Sequence, residues 1–136
     1  MHPGGHANVR AGQASVDDHL LHLSVVTFHE ATLGMERERK RRDADGRDAS
    51  DVLAKMAALE VLAAEFDGRI FNIDRKVGNE WARMLAASGK NHRDIALAAT
   101  ARVHDLVPVT RNIKHMKGRD VLVLDPFVRK PVIVRV

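Results

Sequence analysis

Glu30, Asp94, Thr110, Arg111, Asn112 and His115 are the side chains whose types and spacing suit chemistry on phosphate. In open parallel sheets, ligands bind beyond the carboxyl ends of the strands. Glu30 falls one helical turn beyond a strand expected at residues 20–26. Thr110, Arg111, Asn112 and His115 fall just beyond a second, expected at 106–110. Asp94 opens a helix whose preceding loop should reach the same edge. Two carboxylates in one crevice can hold Mg²⁺ or Mn²⁺, which favour oxygen ligands. Such an ion polarises a phosphodiester oxygen and lowers the pKa of an attacking water. Both acids also have simpler uses. Glu30 completes a capping box with Thr27, and Asp94 suits the positive end of a helix. Arg111 suits a scissile phosphate or a carboxylate across the crevice.

The elements that must position these groups follow from periodicity. Residues 20–26, LLHLSVV, form an apolar run suited to a buried strand. Thr27 then opens a helix to about Arg42. Residues 43–50 read as a polar loop. Val52, Met56, Leu59, Leu62, Ala63 and Phe66 recur at helical spacing, and Gly68 ends that helix. This stripe suits burial in the domain or a groove for a partner helix, burial being simpler. Ile70, Phe71 and Ile73 suggest a short strand. Asp74 caps a helix carrying Val77, Trp81, Met84 and Leu85, which stops before Gly89. Trp81 reads as core rather than a base-stacking platform. Residues 94–103 form an alanine-rich helix. Residues 106–110 and 121–124 read as buried strands, with Pro108 weakening the first. Alternation of this kind predicts an α/β fold with a mostly parallel sheet.

Composition sets outer bounds. The chain has 136 residues, 45% of them hydrophobic, which suits one core. No apolar run reaches the roughly 18 residues of a membrane span, and no signal-peptide stretch opens the chain. Cysteine is absent, which excludes disulfides and thiolate chemistry and fits a cytoplasmic location. The net charge of +4 attracts nucleic acid or an acidic partner only weakly. The cluster Arg37, Arg39, Lys40, Arg41 and Arg42 alternates with Glu36 and Glu38, as on a solvated helix face, although it also suits RNA phosphates. His2, His6, His19 and His22 lack zinc spacing.

Three blocks carry a family resemblance. LSVVTFHEATLGMER (23–37), FDGRIFNIDRKVGNEWARM (66–84) and DIALAATARVHDLVPVTRNIKHMKGRDVLVLDPF (94–127) stand in the order of VapC-type PIN-domain ribonuclease toxins. The chain therefore resembles that toxin–antitoxin family over residues 20–127. Residues 1–19 form a poorly structured lead, and residues 128–136 a basic, apolar tail. The resemblance implies a three-layer α/β/α fold with a mostly parallel central sheet. It implies a metal-dependent endoribonuclease using Mg²⁺ or Mn²⁺, a cognate antitoxin, often a homodimer, and a role in plasmid or genomic-segment stability. Glu30 and Asp94 match family acids that bind the metal. Thr110 and Asn112 match the family's Thr-Arg-Asn segment.

Two departures stand out. The family begins with a hydrophobic strand ending in an acid that ligates the metal, and no such segment precedes residue 20. An inner strand buries several apolar side chains, each worth about 1.5–3 kcal/mol, against a total stability of about 5–15 kcal/mol. A chain starting at Met1 is therefore expected to be marginal or dependent on a partner. The second departure is His115, which stands where the family has an acid; it can act as a softer ligand or a general base. Asp120 has the spacing of the next loop. Three functions compete: a metal-dependent ribonuclease toxin, a degenerate PIN domain that keeps antitoxin or RNA binding, and a truncated remnant.

Overall fold

A computed structural model describes residues 17–87, 89–128 and 130–136. The expected unstructured lead and missing first strand fall largely on residues 1–16, outside the described residues. The chain divides into two compact units, residues 22–72 and the remainder.

Unit 22–72 pairs two short strands with two helices. Strand β1, Leu23–Ser24, runs parallel to β2, Ile70–Phe71, with Leu23 opposite Ile70 and Ser24 opposite Phe71. The amide of Leu23 donates to the Arg69 carbonyl at 2.9 Å and sets this register. Helix α1 spans Val25–Ala44, and α2, which packs on it, spans Ser50–Glu65. The expected capping box at Thr27 and Glu30 is corrected here. Ser24 caps α1 instead, its hydroxyl accepting from the Val26 amide at 3.1 Å. The strand yields to helix after two residues because Ser24, extended and buried, satisfies an orphan amide three positions early. Thr27 and Glu30 are then ordinary helical positions. Gly68, at φ +81°, turns the chain after α2, a conformation that disfavours side chains.

The apolar stripe of α2 buries less than expected. Val52 is buried, whereas Met56, Leu59, Leu62, Ala63 and Phe66 are half-buried, and Leu53 and Val61 are exposed. Arg42 clamps the end of α1 to the start of α2. Its guanidinium donates to Glu38 at 3.0 Å, to the Asp48 carbonyl at 3.2 Å and to the Asp51 carboxylate. Arg39–Glu36 and Arg41–Glu38, both at 2.7 Å, pair two more residues of the basic cluster along the helix face.

The other unit is built on α3, Arg75–Ala87, and α4, His92–His104, packed together. Asp74 caps α3 as expected, its Oδ1 accepting from the Val77 amide at 2.9 Å. Ala96, Ala98, Ala99 and Ala101 on α4 are buried, so the helix axes approach closely. Val77, Met84 and Ile95 complete this core with Met116, Val121 and Val123. Each fully buried large side chain contributes about 1.5–3 kcal/mol. Trp81 packs against the core as expected, and its Nε1 donates to the His92 carbonyl at 3.1 Å. Thr100 is buried but satisfied, donating to the Ala96 carbonyl at 2.8 Å.

A four-residue helix α5, Ile113–Met116, precedes β3, Leu122–Val123. The expected strand at 106–110 reduces to one parallel bridge, Val109 to Leu124. Pro108 has no amide to donate, so it only accepts, from Leu124 at 3.0 Å. The tail supplies β4, Val134–Arg135, antiparallel to β3. The fold is α/β. Among the described residues, no helix is long and apolar enough to cross a membrane.

Candidate functional site

The site is assembled at the start of α4 and at α5. Asp94 lies in the first turn of α4, after Asn91 enters the helix in the left-handed region at φ 57°. His115 lies on α5, whose position follows from a chain of short contacts. The amide of Thr110 donates to the Leu124 carbonyl at 2.9 Å, tying the segment to β3's flank. The Thr110 hydroxyl then accepts from the Asn112 amide at 2.9 Å, a local turn that competes with continued strand. The Asn112 carbonyl accepts from the His115 amide at 2.9 Å. Met116, the next residue, is fully buried and fixes α5 on the core.

This geometry brings the His115 Nδ1 to 2.6 Å from Asp94 Oδ2. The two side chains are 28% and 17% exposed, so the bond is partly shielded from water. An ionised carboxylate only accepts, so Nδ1 carries the proton and donates. The pairing fixes the orientation of the ring and leaves Nε2 as its second polar atom. A carboxylate that orients an imidazole in this way is a general device for holding a ligand or a base.

Thr110 and Asn112 are therefore placed beside this pair through backbone, not through a shared side-chain cluster. The Asn112 side chain does not cap α5. Arg111 also makes a contact outside its two expected uses. Its guanidinium stacks over the Phe127 ring at 3.7 Å, a cation–π contact for which the sequence offered no signal. Glu30 is exposed on the second turn of α1, in the other compact unit.

The expected Mg²⁺ or Mn²⁺ can be tested against the donors present. Mg²⁺ demands a near-octahedral oxygen set. Asp94 offers one carboxylate, and one of its oxygens is engaged by an imidazole. Among the described residues, no three His, Asp or Glu side chains gather as a metal-holding group. Among the described residues of this unit, Asp94 and His115 by themselves do not make up the carboxylate set such an ion needs.

No protein-family model and no curated protein matches the chain. Two solved structures resemble it. The crystal structure of FitAcB from Neisseria gonorrhoeae is 26% identical, covers 93% of this chain and 89% of that chain, and superposes with a TM-score of 0.74. The structure of FitAB bound to an IR36 DNA fragment is 22% identical, covers 95% of this chain and 89% of that chain, with a TM-score of 0.65. The second likeness is one of fold. The first supports the α/β class.

Proposed function

We propose that this chain is the toxin-side member of a toxin–antitoxin pair: a VapC-type, PIN-like domain that binds RNA and a cognate antitoxin, with an impaired hydrolytic centre. The observation that carries the impairment is the 2.6 Å bond between Asp94 and His115. An imidazole stands where the family has an acid, and it engages the neighbouring carboxylate. The toxin–antitoxin side draws support from the likeness to FitAB, a pair that includes a PIN domain. The DNA in one of those structures belongs to that complex.

The reading carries the three-layer arrangement and parallel central sheet of the family. It also carries a cytoplasmic setting, self-association as a homodimer and a link to plasmid or genomic-segment stability. Exposed Leu53 and Val61 on α2 offer apolar surface to an antitoxin helix. A second reading is metal-dependent RNA hydrolysis with Mg²⁺ or Mn²⁺, favoured by Glu30 and Asp94 at family positions.

One experiment separates the two. The purified chain is incubated with mixed RNA and Mn²⁺ or Mg²⁺, against EDTA, while RNA binding is followed by fluorescence anisotropy. Binding without metal-dependent cutting is expected from a protein with native Trp81 fluorescence. Cutting that EDTA stops, and that Glu30→Gln and Asp94→Asn each abolish, would establish the hydrolase instead.

A further inference from the structure

A second polar site lies in the same unit as Asp94, at the far end of α4. A cavity of about 400 Å³ opens between α3, α4 and the turn at residues 118–120. Its size is that of a small-ligand cleft. Arg83, Arg102 and Arg119 line it with Glu80 and Asp120. The two carboxylates do not balance the guanidiniums. Glu80 is shared, accepting from Arg83 at 2.9 Å and from Arg102 at 3.2 Å. Asp120 is engaged by a fourth guanidinium, Arg135, at 2.8 Å. Arg119 has no carboxylate partner among the described residues. Its Nη1 donates to the Met84 carbonyl at 2.9 Å, and its Nε is buried with no hydrogen-bond partner. A buried donor left unmade is costly, and a guanidinium without a counter-charge attracts an oxyanion.

We propose that this cavity is a binding site for a backbone phosphate of RNA, with Arg119 as its central donor and Arg83 and Arg102 at its rim. This rests on the RNA-binding reading above and deepens it. Guanidinium forks match phosphate oxygens in pairs, which a lysine ammonium does not. Arg102 lies eight residues beyond Asp94 on one helix, so the two sites are about 12 Å apart along the axis. A linear polyanion spans that distance and meets both. An isolated carboxylate does not, and Glu80 already meets both rim guanidiniums in that way. The guanidiniums of the cavity need no metal to bind a phosphate.

The test uses the full chain and a labelled single-stranded RNA of about 12 nucleotides, within the usual range of single-strand footprints. Arg119→Met is expected to weaken binding about tenfold and to lower the salt slope by about one. Arg119 also holds the Met84 carbonyl, so that variant can lose its fold. Arg83→Met, on a side chain 68% exposed, keeps the fold and decides alone in that event, with an expected loss of about threefold or more. Arg47→Met, exposed in the other unit, controls for general basicity and should stay within about twofold. Wild-type binding that neither arginine variant weakens would overturn the site and leave the RNA reading standing. A folded wild type that binds no RNA would overturn both. Displacement of the RNA by polyglutamate at equal charge concentration would assign the cavity to an acidic protein and overturn the phosphate.

Discussion

Asp94 Oδ2 and His115 Nδ1 stand 2.6 Å apart across 21 residues of chain, joining the first turn of α4 to α5. The bond crosses from one helix to another, so it restrains tertiary structure. With both side chains less than a third exposed, solvent screens it only in part. A double-mutant cycle on Asp94→Asn and His115→Gln should give a coupling of about 1 kcal/mol. Urea unfolding followed by Trp81, the chain's single tryptophan, reports on this unit. Additive effects, within about 0.3 kcal/mol, would mean that the contact contributes nothing.

The closeness of α3 and α4 depends on small side chains at their contact. Ala98 and Ala99 have no exposed surface, and neither does Ile95 beside them. Ala98→Leu should cost about 1–3 kcal/mol by overpacking, and Ile95→Ala about 2–5 kcal/mol through its cavity. Leu53→Ala, on a side chain 51% exposed, should stay within about 0.5 kcal/mol. Equal losses at Leu53 and Ile95 would place the core elsewhere.

Local chemistry was the legible part of this chain. Asp74 announces α3 because a cap needs only its own next three residues, and the Val77 amide is there at 2.9 Å. The alanines of residues 94–103 likewise announce a buried helix. The start of α1 was not legible, because Ser24 and Thr27 are both good caps and the choice depends on where β1 stops pairing with β2. The strand at 106–110 shrank to a bridge through Pro108. The antiparallel pairing of the tail with Leu122 and Val123 leaves no local trace, since Val134 and Arg135 read as any basic, apolar end. The candidate site divides in the same way. Asp94 and His115 were recognisable one by one, but their bond is non-local. The placement of Arg111 on Phe127, and the convergence of Arg83, Arg102 and Arg119, are tertiary facts that spacing does not encode.

The Arg42 clamp predicts a pH dependence with a definite sign. Its hydrogen bond holds the Asp51 carboxyl below the ordinary carboxylate range, and does the same for Glu38. On unfolding, both acids return to ordinary values. Groups depressed in the folded state stabilise it fully above the ordinary range. That stabilisation is lost as pH falls through the lowered folded values, below about pH 4. Carboxyl carbon NMR should show the Asp51 midpoint rising in Arg42→Met. A midpoint that does not move would remove the clamp as its cause.

His115→Asp tests what separates this chain from a carboxylate-lined metal centre. The substitution replaces the imidazole that engages Asp94 with a second oxygen donor at the same backbone position. Two carboxylates held by α4 and α5 would repel each other unless a cation lies between them, so the variant should lose stability in EDTA and regain it with Mn²⁺. Calorimetry should show Mn²⁺ binding tightened about tenfold or more over the wild type, and Asp94→Asn in the same background should undo the gain. A gain of affinity without RNA cleavage would mean that the donors suffice for the ion but that the remaining elements of a hydrolytic centre are not in place. No gain, in a variant that melts cooperatively, would mean that α4 and α5 do not hold their acids at a spacing an ion can bridge. His115 would then be a structural partner of Asp94, and its replacement would not by itself create an ion site.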